Sequence, residues 1–88
     1  MDRYAIVTTQ LRDLFYGIPG EVKDGVCTVR QCRHIAYWEA PPGGITSLAA
    51  DGPGPESRIG LPIAEALISG VAHLLWVSEA ARVKFTTL

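Results

Sequence analysis

Arg33, Tyr37, Trp38 and Arg58 are the side chains of this sequence best suited to recognition chemistry. Guanidinium groups hold phosphate or carboxylate through two parallel hydrogen bonds, and aromatic faces stack on flat rings or on the guanidinium itself. The first three lie in one run, Cys27–Trp38, which reads Cys-Thr-Val-Arg-Gln-Cys-Arg-His-Ile-Ala-Tyr-Trp, and Arg58 follows a loop containing Gly52 and Gly54. Backbone N–H groups around those glycines are candidates for an anion-holding concavity, although Pro53 and Pro55 supply no donor there. The pattern predicts a binding site for a small, anionic, nucleotide-type ligand. The competing reading makes Tyr37 and Trp38 packing anchors and Arg33 a brace on a loop carbonyl.

Other chemistry is less well provided for. Cys32 and His34 share a strand face and His73 is a third donor, but a closed zinc site needs four ligands, usually in tightly spaced pairs. No metal site is expected. Cys27 or Cys32 as a nucleophile beside a histidine lacks an orienting third group, and small buried thiols are the commoner arrangement. Asp51, Glu56 and Glu65 lie in or after the Gly/Pro loop, where water keeps carboxylates alike; acid–base catalysis needs environments that set their pKa values apart. Gly52-Pro53-Gly54-Pro55 has neither the lysine nor the helix start of a phosphate-binding loop. No cofactor is expected, and the chain reads as a binding protein rather than an enzyme.

The totals agree. Eighty-eight residues make one domain, residues 1–88, which buries roughly 60–65% of its unfolded surface and leaves little room for a deep cleft. A hydrophobic share of 48% excludes a disordered chain. The formal charge of −1 argues against general nucleic-acid binding and leaves little repulsion between copies. Met1-Asp2-Arg3-Tyr4 leads into no signal-like apolar run, and no window is long and apolar enough to span a membrane. On one extended strand, Cys27 and Cys32 would face opposite ways about 16 Å apart at ~3.3 Å per residue, so reduced thiols are expected.

The elements that must position these groups read as strands for the most part. Tyr4–Thr9 is aromatic and β-branched. A short helix over Thr9–Tyr16 is possible by spacing, but a turn followed by a strand from Leu14 is preferred because so short a helix has little stability of its own. Ile18-Pro19-Gly20 marks a bend, bulge or edge. Asp24-Gly25 between apolar flanks predicts a two-residue hairpin turn. The returning strand, Val26 to about Ile35, would place Cys27, Val29, Gln31, Arg33 and Ile35 on the core face, with a buried Arg33 in need of an acceptor. Glu39–Ser47 reads as loop, Ile45–Ala50 as a short strand and Asp51–Ser57 as a second loop. Leu61–Val77 fits either a helix or two strands about Ser69-Gly70, since periodicity does not separate them. Ser78 is the N-cap of a short helix from Glu79 to about Lys84. Val71, Leu74 and Trp76 form an apolar run suited either to a subunit contact or to a central core strand.

The sequence resembles a family of small proteins of unknown function encoded by tailed bacteriophages and prophages. The resemblance rests on Leu14-Phe15-Tyr16-Gly17, on Thr28-Val29 through Cys32-Arg33 to Tyr37-Trp38, and on Leu48-Ala49-Ala50-Asp51-Gly52-Pro53 through Arg58-Ile59-Gly60. It departs after Gly60, where Leu61-Pro62 replaces a more direct Gly-Pro. It implies a phage origin, the cytoplasm of the bacterial host, and strands within 64–77.

Taken together, the expected fold is all-β or nearly so: a small twisted sheet or open barrel of five to six strands with a short C-terminal helix. The expected function is a homo-oligomeric phage accessory protein that counters host defence by sequestering a small nucleotide-type ligand between subunits. The alternatives are an inhibitor that occludes a host defence protein, and a small nucleotide hydrolase using Asp51 or Glu56 with His34.

Overall fold

Short β-branched and aromatic segments separated by tight turns give a sheet of six strands. The computed structural model describes residues 3–39 and 43–88. The elements are β1 (Ala5–Thr9), β2 (Leu14–Pro19), β3 (Cys27–Tyr37), α1 (Ile45–Asp51), β4 (Arg58–Ile59), β5 (Ile63–Ile68), β6 (Val71–Trp76) and α2 (Glu79–Thr87). The expectation of an open, mostly β fold with a short C-terminal helix holds, and Leu61–Val77 resolves into two strands.

Two local signals act as expected. Asp24 and Gly25 both take positive φ, 54° and 73°, and Lys23 and Val26 exchange backbone hydrogen bonds of 2.9 Å around them. Ser78 caps α2, its hydroxyl accepting from the Ala81 N–H at 3.1 Å. The segment after β1 is a turn and not a helix: Thr9 N–H donates to Asp13 C=O at 3.0 Å.

The sheet's shape follows from its connectivity. Hydrogen bonding runs in the order β4-β3-β2-β1-β6, with β5 beside β4 on the same edge of β3. Every ladder is antiparallel, so β5 and β6 run the same way in the unrolled sheet. Laid flat, they would be about 19 Å apart. Ser69-Gly70 alone joins Ile68 to Val71, and that link reaches roughly 11 Å at most. Opposite corners of the sheet must therefore fold together, with Ser69-Gly70 as a corner rather than a hairpin turn. Val7, Cys27, Val29, Cys32 and Ile68 pack inside the fold, with Val71 and Leu74 against them. Ile6, Tyr16, Ile35, Leu48, Ala49 and Phe85 form the other cluster, between the sheet and the helices.

The expected alternation along β3 is corrected by a bulge. Tyr16 pairs with Arg33 but Ile18 pairs with Arg30, so β3 carries one extra residue there, and Gln31 takes φ 51°. The extra residue changes the facing of everything beyond it. Cys32 joins Cys27 and Val29 in the inner cluster, while Ile35 joins the helix-side cluster. The two cysteines therefore share a cluster instead of facing opposite ways, and both are free thiols. The irregularity lies opposite Gly17 rather than at Ile18-Pro19-Gly20. Gly17 permits it: a Cβ there would lie 2.6 Å from Val29 Cγ1 and 2.7 Å from the Arg30 carbonyl oxygen.

A second correction concerns Ile45–Ala50, expected as a strand and found as helix α1. Ile45, Leu48 and Ala49 have i, i+3, i+4 spacing and pack on the helix-side cluster. That burial outweighs the modest helix propensity of Ile45, Thr46 and Ser47. Ala40, Pro41 and Pro42 of the expected loop lie outside the described residues.

Candidate functional site

Arg33 is the residue around which the candidate site is built. The bulge at Gln31 turns it away from the inner thiols and valines, where no charge could be matched. Only 9% of Arg33 is exposed. Its Nε donates to the Gly60 carbonyl and its Nη1 to the Phe85 carbonyl, each at 2.7 Å. Phe85 lies in the last turn of α2, where its carbonyl also accepts from the Leu88 N–H at 3.3 Å and a cation is favoured by the helix dipole. Arg33 thus ties the segment before β5 to the end of α2.

Between those two walls lies a cavity of about 350 Å³, lined by Tyr4, Tyr16, Gln31, Arg33, Leu61, Pro62, Arg82, Thr86 and Leu88. This lies within the range of small-molecule sites. Tyr4 stacks on Tyr16 with ring centroids 5.0 Å apart, and Tyr16 stacks on Phe85 at 4.0 Å. Burial first, and then the neighbouring Tyr4, push the Tyr16 hydroxyl up to about 12, against an opposing pull from Arg82 and Arg33. Tyr16 stays neutral and protonated near pH 7.

Arg82 holds Glu79 with two hydrogen bonds, Nε to Oε2 at 3.1 Å and Nη2 to Oε1 at 2.5 Å. That pairing raises the Arg82 pKa and holds the Glu79 carboxyl below its usual range. Arg33 retains donor capacity beyond its two carbonyls, since a guanidinium has five N–H groups. Arg33 is itself part of the cavity lining. The lining contains no Asp or Glu. It offers N–H and O–H donors beside flat aromatic and apolar surface, an arrangement suited to an acceptor-rich anion.

The other expected site residues lie elsewhere. Tyr37 and Arg58 are cross-strand partners and both are exposed. Ile59, next to Arg58, packs on the helix side, and the register of β3 slips by one residue between Ile35 and Tyr37, so the Tyr37–Arg58 pair lies on the opposite face from Arg33. Trp38 packs, partly buried, against the helix-side cluster. The loop glycines have spent their donors: Gly52 N–H on the Leu48 carbonyl at 3.0 Å, Gly54 N–H on the Glu39 carbonyl at 2.7 Å. Val71 and Leu74 pack on the inner cluster. Trp76 is 47% exposed at the end of β6, with the Arg3 guanidinium 4.2 Å from its ring centroid.

Cys32, His34 and His73 separate: Cys32 is buried, His34 lies against the Phe15 ring, and His73 sits 3.4 Å from the Thr8 hydroxyl. Among the described residues no three His, Cys, Asp or Glu side chains group as metal ligands. Asp51, Glu56 and His34 do not line the cavity beside Arg33.

Tyr4, Tyr16 and Arg82 escaped the sequence reading as site residues. Tyr16 stood only within a resembling motif, and Arg82 looks like half of an ordinary helical ion pair with Glu79. Comparison with protein-family models, with curated proteins and with solved structures gives no match for this chain.

Proposed function

We propose that this protein is a non-enzymatic binding protein that captures a small nucleotide-type anion in the cavity beside Arg33. The observation that carries this reading is a donor-rich lining without Asp or Glu, in which Arg33 and Arg82 stand beside Tyr4 and Tyr16. The guanidiniums would take the phosphate, and Tyr4 with Leu61 and Pro62 would border the base. Its resemblance to phage and prophage proteins supports a role as an accessory protein that sequesters a host defence signal in the bacterial cytoplasm. Among the described residues no helix is long and apolar enough to cross a membrane.

Self-association belongs to the same proposal. Strands β5 and β6 each pair on one side only among the described residues. Leu61, Ile63 and Leu67 are 85%, 55% and 73% exposed beside the β5 edge, and Trp76 stands out at the end of β6. Free edges carrying apolar side chains invite pairing with another chain. The same surface supports the second reading, occlusion of a host defence protein.

Mass spectrometry of small molecules released from denatured protein tests capture directly: an intact nucleotide supports it, and an empty extract from freshly purified protein counts against it. Arg82→Gln should weaken nucleotide binding by tenfold or more with the fold intact, and Arg58→Gln should leave it unchanged. The reverse pattern would move the site to the Tyr37–Arg58 face.

A further inference from the structure

The charge of the cavity constrains its ligand more narrowly than its donors do. Two guanidiniums, Arg33 and Arg82, are the charged side chains of the lining. They do not arrive equal. Arg33 gives its bound N–H groups to two backbone carbonyls and to no carboxylate, so the end of α2 offsets only part of its positive charge. Arg82 is already paired with Glu79 through two contacts across one turn of α2. Three charged side chains therefore present a net charge of +1 to the cavity, two arginines less one glutamate. A phosphate monoester carries about −1.5 to −2 near neutral pH, and a phosphodiester carries one charge fewer than a full dianion.

Resting on the capture reading above, we infer that the cavity selects a singly charged, phosphodiester-type nucleotide over the corresponding phosphate monoester, and that Glu79 sets this selectivity. Glu79 neutralises Arg82, so the second charge of a monoester gains little attraction in return for the larger cost of desolvating a dianion. Arg82 still contributes geometry and N–H groups at the rim. The Glu79 and Arg82 side chains are 77% and 41% exposed, so solvent screens the effect and its size is that of a surface charge.

The test is calorimetric titration of the full chain at low ionic strength and near-neutral pH. Cyclic AMP is compared with AMP, and cyclic GMP with GMP, so that each pair shares its base. The cyclic form of the accepted base should bind about three- to fivefold more tightly than the monoester, a range typical of one exposed charge. Glu79→Gln removes the competing carboxylate without shortening the side chain. It should tighten the monoester by a similar factor, change the cyclic form less, and so abolish or reverse the preference. Added salt should shrink both effects. Monoester binding equal to or tighter than cyclic in the unaltered protein overturns the inference while leaving capture intact. So does an unchanged ratio in Glu79→Gln. If none of the four nucleotides binds, capture itself fails along with it.

Discussion

The Arg33 guanidinium donates to the Phe85 carbonyl at 2.7 Å, joining the middle of β3 to the last turn of α2 across 52 residues of sequence. The contact links a residue that is 9% exposed to one that is fully buried. It also sets the floor of the candidate cavity, because the same guanidinium holds Gly60 in front of Leu61 and Pro62. Binding and stability therefore meet at Arg33 and separate at Arg82.

Replacing Arg33 should cost stability as well as binding. Arg33→Met keeps much of the side-chain bulk but leaves the carbonyls of Gly60 and Phe85 without its charge-assisted donors. A loss of about 2–3 kcal/mol is expected, read as a lower midpoint in urea unfolding with an unchanged slope. A stability equal to that of the parent protein would show that water replaces the guanidinium freely, and that Arg33 is no brace.

Gly17 should tolerate no side chain. The Arg30 carbonyl and Val29 Cγ1 already occupy the space of a Cβ, and the carbonyl belongs to backbone that cannot rotate aside. Gly17→Ala should destabilise by about 1–3 kcal/mol, and Gly17→Val by more. Thermal unfolding of the two variants checks this, and an unshifted Tm in Gly17→Ala would mean that the bulge in β3 relaxes at little cost.

Stability should fall at high pH. The Tyr16 hydroxyl is pushed from 10.0 to about 12, chiefly by burial. The folded state thus binds its proton more tightly than the unfolded chain. The contribution is fully present below the unfolded value and is lost as pH rises from about 10 to about 12. Part of Tyr16 faces the cavity, so screening reduces the effect to roughly 1–2 kcal/mol. The two thiols act in the same direction from about pH 9, since burial raises both. Tyr16→Phe should flatten the upper part of the profile measured by denaturant titration at stepped pH.

Cys27 and Cys32 should be inert until the chain unfolds. Both are buried, 1% and 3% exposed, and burial raises both thiols above their ordinary value. Thiolate is the reactive form, so neither factor favours attack. Alkylation by iodoacetamide at neutral pH should be slow in the native protein and complete in denaturant. Rapid labelling of Cys32 in native protein would place it on an accessible surface.

What could be read from the residues was local, because its cause was local. Asp24-Gly25 specifies its turn through the two positive φ values, and Ser78 specifies the start of α2 through one side-chain hydrogen bond. Strand character in Ala5–Thr9, Leu14–Pro19 and Cys27–Tyr37 follows from β-branched and aromatic side chains. Arg33 was recognisable as a buried cation needing an acceptor, although nothing local named Gly60 and Phe85.

By itself, the amino-acid sequence determined a small β-rich chain with those turns, that cap and a cation inside its longest strand. Only the tertiary structure decided which way the cation points and what stands beside it. One extra residue at Gln31, accommodated by a glycine on the neighbouring strand, reverses the facing of β3 beyond it. A single slip is enough because side chains alternate with a period of two. Helix α1 forms because it buries Leu48 and Ala49, not because Ile45–Asp51 prefers helix. The cavity joins Tyr4, Tyr16, Arg33 and Arg82, from four separate parts of the chain, where α2 packs against the sheet. Such a site depends on long-range packing, which no local pattern encodes.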